Sequence, residues 1–133
     1  MRKVEHIGIA VEDMDSAVQL YSTLLGVNPY KSETVEAEGV ITTFFRNGPN
    51  KIELLASIDD DGVISRFIQK KGEGIHHIAF DVPDIHAEMA RLTKEGFKLL
   101  SEEPKKGADN KLICFVHPKS TNGVLIELCQ EIK

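Results

Sequence analysis

His6, Glu53, His77 and Glu127 are the residues of this chain whose types and spacing could do chemistry. The histidines sit in two strand-like stretches, "EHIGIA" and "IHHIAF". Each glutamate stands between apolar residues, in "KIELL" and "VLIEL". A lone carboxylate in an apolar strand is costly to bury unless it is paired or bound to a cation. One such glutamate is ordinarily a strand's solvent-facing residue, and one such histidine a hydrogen-bonded core residue. Two His-plus-Glu sets are a different matter. The separation is 47 residues from His6 to Glu53 and 50 from His77 to Glu127, and that recurrence predicts a metal site. Two imidazoles and two carboxylates suit a borderline divalent ion: cobalt, nickel, zinc, manganese or iron. They leave two octahedral positions open, which would chelate a substrate through two oxygens and stabilise an enolate oxygen as it develops.

These residues need elements to hold them, and the chain carries a repeat that supplies the elements twice. With His6 set on His77, 71 residues away, "HIGIAVEDMD" lies on "HIAFDVPDIH". Each block reads as a strand ending in a polar turn, with Asp13 and Asp84 as helix N-caps. After Asp13, the residues Met14, Ala17, Val18, Tyr21, Leu24 and Leu25 recur at helical spacing until Gly26. After Asp84, Ile85, Met89 and Leu92 do so until Gly96. Three strands follow in each half, at about 27–34, 40–46 and 51–56, and at about 97–101, 111–117 and 124–129. The modules run over about 1–57 and about 75–133. A linker at about 58–74 holds one helix with Ile64, Phe67 and Ile68 on a face and Asp59 to Asp61 near its N-terminus. The fold class expected is therefore α+β, two β-α-β-β-β modules in a single domain. A four-stranded sheet with one helix has an uncovered face, so the modules are expected to curve into an open eight-stranded barrel around the metal.

Alternation along the strands sorts the histidines. His6, Gly8 and Ala10 share a face with small neighbours, as do His77 and Ala79. Ile7, Ile9 and Val11 form the bulky face. His76 therefore points to a helix layer and packs, while His77 matches His6.

Composition limits the remaining possibilities. The chain has 133 residues, 41% hydrophobic and 28% charged, with a formal net charge of −5. That charge argues against a nucleic-acid partner. No apolar run spans a bilayer and no signal peptide opens the chain, so a cytoplasmic location is expected. Cys114 and Cys129 are then free thiols within strands. Lys105, Lys106, Lys111 and Lys119 crowd one stretch, either as a solvated loop or as a cradle for a phosphate-bearing ligand.

On "HIGIAVEDMDSAVQLYSTLLG", "KIELL", "GEGIHHIAFDV", "EEPKKGADNK" and "FVHPKSTNGVLIEL" the chain resembles the vicinal oxygen chelate superfamily. Within it the chain is similar to the methylmalonyl-CoA epimerases along almost its full length. The resemblance implies metal ligands at His6, Glu53, His77 and Glu127, typically with cobalt, and a homodimer. It implies interconversion of the R and S forms of methylmalonyl-CoA by proton transfer at C2, with Glu127 as one acid–base group. It makes Lys111 and Lys119 contacts to the substrate carboxylate or the CoA phosphates. His117 would line the CoA entrance or hold the turn before Pro118. In bacterial members a second base, a glutamate, lies three residues after the glycine matching Gly39. Here that position is Thr42, with Glu36 and Glu38 nearby.

Three other readings fit parts of the pattern. A lactoylglutathione lyase shares the two-His, two-Glu site, but "IHHIAF" and "HPKSTNG" depart from that family's motifs. An extradiol-type dioxygenase uses two histidines and one carboxylate, which leaves Glu53 unexplained. A metal-free resistance protein of the same fold, binding a small molecule, has no reason to bury two glutamates opposite two histidines.

Overall fold

Asp13 and Asp84 do start helices. In the computed structural model, which describes residues 1–133, the Asp13 carboxylate accepts from the Asp15 amide at 3.2 Å and the Ser16 hydroxyl at 2.7 Å. Asp84 accepts from the Ala87 amide at 3.1 Å. Both satisfy amides that a helix start leaves orphaned. The Ser16 hydroxyl also holds the Asp13 carboxyl below its ordinary value. Gly26, at φ +72°, closes the first helix in the left-handed conformation that glycine adopts without strain.

The chain falls into two compact units, one of residues His6–His76 and one of Met1–Glu5 with His77–Lys133. The first unit takes the end of β1 (Lys3–Ala10) from His6 onward, α1 (Met14–Leu25), β2 (Lys31–Val35), β3 (Val40–Asn47), β4 (Asn50–Ser57) and α2 (Val63–Lys71). Its strands lie in the order β2-β3-β4-β1. β4 runs parallel to β1 and antiparallel to β3. Phe45, Leu54 and Ala56 pack under Met14, Ala17, Val18, Tyr21 and Leu25 of α1. On the other face Ala10, Val40 and Leu55 pack against Ile64, Phe67 and Ile68 of α2, the face predicted for the linker helix.

The second unit takes β5 (Gly74–Asp81) from His77 onward, α3 (Ile85–Lys94), the two-residue β6 (Lys105–Lys106), β7 (Lys111–Val116) and β8 (Ile126–Glu131), in the order β5-β8-β7-β6. β8 again lies parallel to β5 and antiparallel to β7. Val82, Cys114, Val116 and Leu128 pack against Ile85, Met89 and Leu92 of α3. The first residues of the chain belong here. The Arg2 amide donates to the Asp81 carbonyl at 2.8 Å, and Arg2 Nε meets the Asp81 carboxylate at 2.8 Å. Each half thus has the predicted β-α-β-β-β order. No helix is long and apolar enough to cross a membrane.

Three element boundaries differ from the sequence reading. The strand expected at 27–34 begins at Lys31, because Pro29 has no amide hydrogen and the first ladder bond is Tyr30 N to Phe44 O at 2.9 Å. The strand expected at 97–101 is only a bridge between Leu99 and Val116. The ladder goes instead to Lys105 and Lys106, folded back onto β7 through Asp109 and Asn110, both at positive φ. The strand expected at 124–129 runs over 126–131, since Asn122 and Gly123 at positive φ and a Thr121 Oγ1 to Val124 O bond of 2.6 Å hold the turn open longer. Asp59 to Asp61 stand just before the N-terminus of α2, as expected; Gly62 is its N-cap, and the Ser57 hydroxyl accepts from the Ser65 amide at 2.8 Å.

Candidate metal centre

Register brings the first His–Glu pair together. In the parallel pairing of β1 with β4, Gly8 lies opposite Glu53. The missing side chain of Gly8 leaves room for His6, two residues back on the same face, to reach Glu53. His6 Nε2 lies 3.1 Å from Glu53 Oε1, with both side chains 6% exposed. The second unit repeats the construction. Ala79, another small residue, lies opposite Glu127 in the parallel pairing of β5 with β8. His77 Nε2 lies 3.0 Å from Glu127 Oε1, with side chains 3% and 7% exposed. Each unit therefore holds one imidazole nitrogen and one carboxylate oxygen within hydrogen-bond distance in a buried setting. Such a pair is costly to desolvate unless both groups are satisfied.

The repeat extends to a third residue that the sequence reading missed. Phe44 on β3 lies opposite Glu53, and Phe115 on β7 lies opposite Glu127. The Phe44 ring stands edge-on to His6, with centroids 6.3 Å apart and planes at 87°. Phe115 stands the same way to His77, at 6.0 Å and 90°. These rings wall the imidazoles with apolar surface and fix their tilt. The signal was available, since Phe44 and Phe115 are 71 residues apart like the histidines.

His76 takes the packing role assigned to it. Its ring meets Phe67 of α2 edge to face at 4.9 Å. The basic candidates differ from one another. Lys111 is buried on β7, at 9% exposed, and Lys119 is exposed in the short 3-10 turn Pro118–Ser120. His117 holds that turn: its Nδ1 accepts from the Lys119 amide at 3.0 Å. Glu36 and Glu38 lie in a one-turn 3-10 segment, Glu36 exposed and Glu38 half-buried. Thr42 is buried on β3. Cys114 and Cys129 are buried free thiols, and burial pushes the Cys114 thiol above its ordinary value.

The donor chemistry fits a borderline divalent cation. Imidazole nitrogen and carboxylate oxygen are what zinc, cobalt, nickel and manganese accept. The small residues Gly8, Ala10 and Ala79 on the same strands add no competing polar group.

Residues 5–115 match the model of the Glyoxalase/Bleomycin resistance protein/Dioxygenase superfamily. The mitochondrial methylmalonyl-CoA epimerase of Homo sapiens is 39% identical over 96% of this chain and 73% of its own length. The ethylmalonyl-CoA/methylmalonyl-CoA epimerase of Cereibacter sphaeroides is 38% identical over 96% of this chain and 97% of its own. Among solved structures, a variant of Streptomyces coelicolor methylmalonyl-CoA epimerase in complex with 2-nitronate-propionyl-CoA superposes with a TM-score of 0.94. It is 32% identical, and the match covers 100% of this chain and 99% of that one. The α+β fold expected from the repeat is thus the fold of a solved enzyme.

Proposed function

This chain belongs to the Glyoxalase/Bleomycin resistance protein/Dioxygenase superfamily and, within it, to the methylmalonyl-CoA epimerases, and from that premise we infer that it is a metal-dependent isomerase interconverting (R)- and (S)-methylmalonyl-CoA. The observation that carries the reading is the twofold occurrence of a buried His–Glu pair with an edge-on phenylalanine. A sandwich or barrel core without a cation has no use for two buried carboxylates on equivalent strands.

His6, Glu53, His77 and Glu127 would hold the cation. Cobalt is the cation that the resemblance implies; nickel, zinc and manganese suit the same donors. When bound, a divalent cation supplies Lewis acidity toward the substrate's carbonyl oxygens and so acidifies the C2 proton. The protein's own groups do the rest. Glu127, a buried carboxylate on β8, is our candidate to take the C2 proton on one face and, in the reverse direction, to return it. The 3.0 Å approach of His77 Nε2 to Glu127 Oε1 sets the two donor atoms side by side, where both could face one cation, and the Phe115 ring packs edge-on to His77. Inversion needs a second group on the opposite face, and the Thr42 hydroxyl is too weak an acid to exist as a base at neutral pH.

Lys111, most of whose side chain is buried on β7, is the lysine we assign to the substrate carboxylate or a CoA phosphate. Lys119, at the exposed turn held by His117, suits the CoA phosphates. Leu20 and Leu24 are exposed on α1 and offer apolar surface to a second copy in a homodimer. Two buried free thiols agree with a cytoplasmic location. A lactoylglutathione lyase remains the competing isomerase; the relatives that match over nearly the full chain and carry an activity in their names include methylmalonyl-CoA epimerases, which supports the epimerase reading.

The test is isotope exchange at C2. Protein stripped of metal and reloaded with cobalt is incubated with methylmalonyl-CoA in deuterated water, with metal-free protein as control. Fast, metal-dependent deuterium incorporation is expected by mass spectrometry. Incorporation no faster than the control would overturn the epimerase reading, and the hemithioacetal of glutathione would then be the substrate to try.

A further inference from the structure

Thr42 carries the only buried side-chain nitrogen or oxygen in the chain with no hydrogen-bond partner, its Oγ1. The residue is 1% exposed. Its neighbour Thr43 is equally buried, but the Thr43 hydroxyl pairs with Ser32 Oγ at 2.8 Å across β2 and β3. Buried hydroxyls in folded proteins are almost always paired, because water satisfies them in the unfolded chain. An orphan among paired neighbours therefore calls for a partner from outside the fold.

The register says where that partner would sit. Thr42 lies opposite Glu33 on β2 and Leu55 on β4, and Phe44 lies opposite Glu53. Directly paired residues share a face, as do residues two apart on one strand. Thr42 thus stands on the face of His6 and Glu53, one diagonal step from Glu53. The side chains between them are Leu55 and Phe44, which offer the hydroxyl no acceptor. A ligand oxygen bound beside the Glu53 carboxylate would therefore lie on the face to which Thr42 belongs.

We propose that Thr42 is a substrate-binding residue: its hydroxyl donates a hydrogen bond to a carboxylate or thioester oxygen of the acyl group of the bound acyl-CoA. The proposal rests on the epimerase reading and sharpens it. Such oxygens only accept, so the hydroxyl must donate, and one O–H serves one acceptor. The orphan destabilises the free protein, and substrate removes that penalty on binding. Thr42 is on this account a place where stability is given up for recognition.

The test compares cobalt-loaded wild type with Thr42→Val, which has the same shape without the hydroxyl, and Thr42→Ser, which keeps it. Melting temperature is measured without ligand, and the Kd of methylmalonyl-CoA by calorimetry. Thr42→Val is expected to melt at or above the wild-type temperature while binding methylmalonyl-CoA about tenfold more weakly, the scale of one hydrogen bond to a charged or strongly polar oxygen. Thr42→Ser is expected to bind within about threefold of wild type. A lower melting temperature for Thr42→Val would mean that the hydroxyl serves the fold, and the proposal would fail. A Kd unchanged by Thr42→Val would equally overturn it. If wild type itself does not bind methylmalonyl-CoA, the epimerase reading fails first and this contact falls with it.

Discussion

Glutamine in place of Glu127 keeps the size of the side chain and one of its oxygens but cannot take up a proton at neutral pH. Turnover by Glu127→Gln is expected to drop to background while circular dichroism stays that of wild type. A rate near wild type would remove Glu127 from proton transfer. The two adjacent histidines give a second prediction. His77→Asn is expected to lower bound metal, measured by elemental analysis after cobalt loading, because it removes the nitrogen that faces Glu127. His76→Asn is expected to leave metal content unchanged, because that ring meets Phe67 instead. Loss of metal from His76→Asn would reverse the two roles. These residues were legible because a polar side chain between apolar neighbours stands out and because the chain says it twice. Phe44 and Phe115 were not, since an aromatic in a strand is ordinary core and only its edge-on approach to an imidazole marks it. The Thr42 hydroxyl was equally invisible, because pairing is decided by neighbours that sequence does not place.

The helices could be read nearly to the residue, and the reason is local chemistry. Asp13 and Asp84 bond amides within three residues of themselves, so the signal and its effect lie side by side. Asp84→Ala should accordingly cost about 1 kcal/mol of stability and lower the melting temperature of the protein, read by thermal denaturation. An unchanged melting temperature would mean that α3 is held by Ile85, Met89 and Leu92 alone. Strand edges were read less well. Whether residues 97–101 or 105–106 complete a ladder depends on which amides β7 meets after the turn at Asp109 and Asn110, a non-local matter. The acceptor at the start of α2 was not legible for a related reason: the Ser57 hydroxyl comes from the end of β4, eight residues before the amide it satisfies.

At the scale of the molecule, stability should depend on acid through Glu88. The Arg91 guanidinium hydrogen-bonded to it holds its carboxyl below the ordinary range, and the Met1 amine at 3.2 Å adds to the effect. A lowered folded pKa means that the stabilisation is present above the unfolded value and is lost as pH falls through the folded one. Wild type is therefore expected to be more stable than Glu88→Gln at neutral pH, with the gap closing as pH falls through and below the ordinary glutamate value of about 4.3. Urea titrations of both proteins across that range check it, and a gap that widens in acid would contradict the assignment.

The gene repeats at one place and the folded chain divides at another. The sequence copies begin near His6 and His77, yet Met1–Glu5 folds with the second copy, where Arg2 bonds Asp81. A fragment made from residues 74–133 alone would lack that segment and leave backbone groups at the end of β5 without their neighbour, an open edge of the kind that recruits strands from other molecules. The boundary of the repeat is therefore not a place where the chain can be cut without exposing hydrogen-bonding groups.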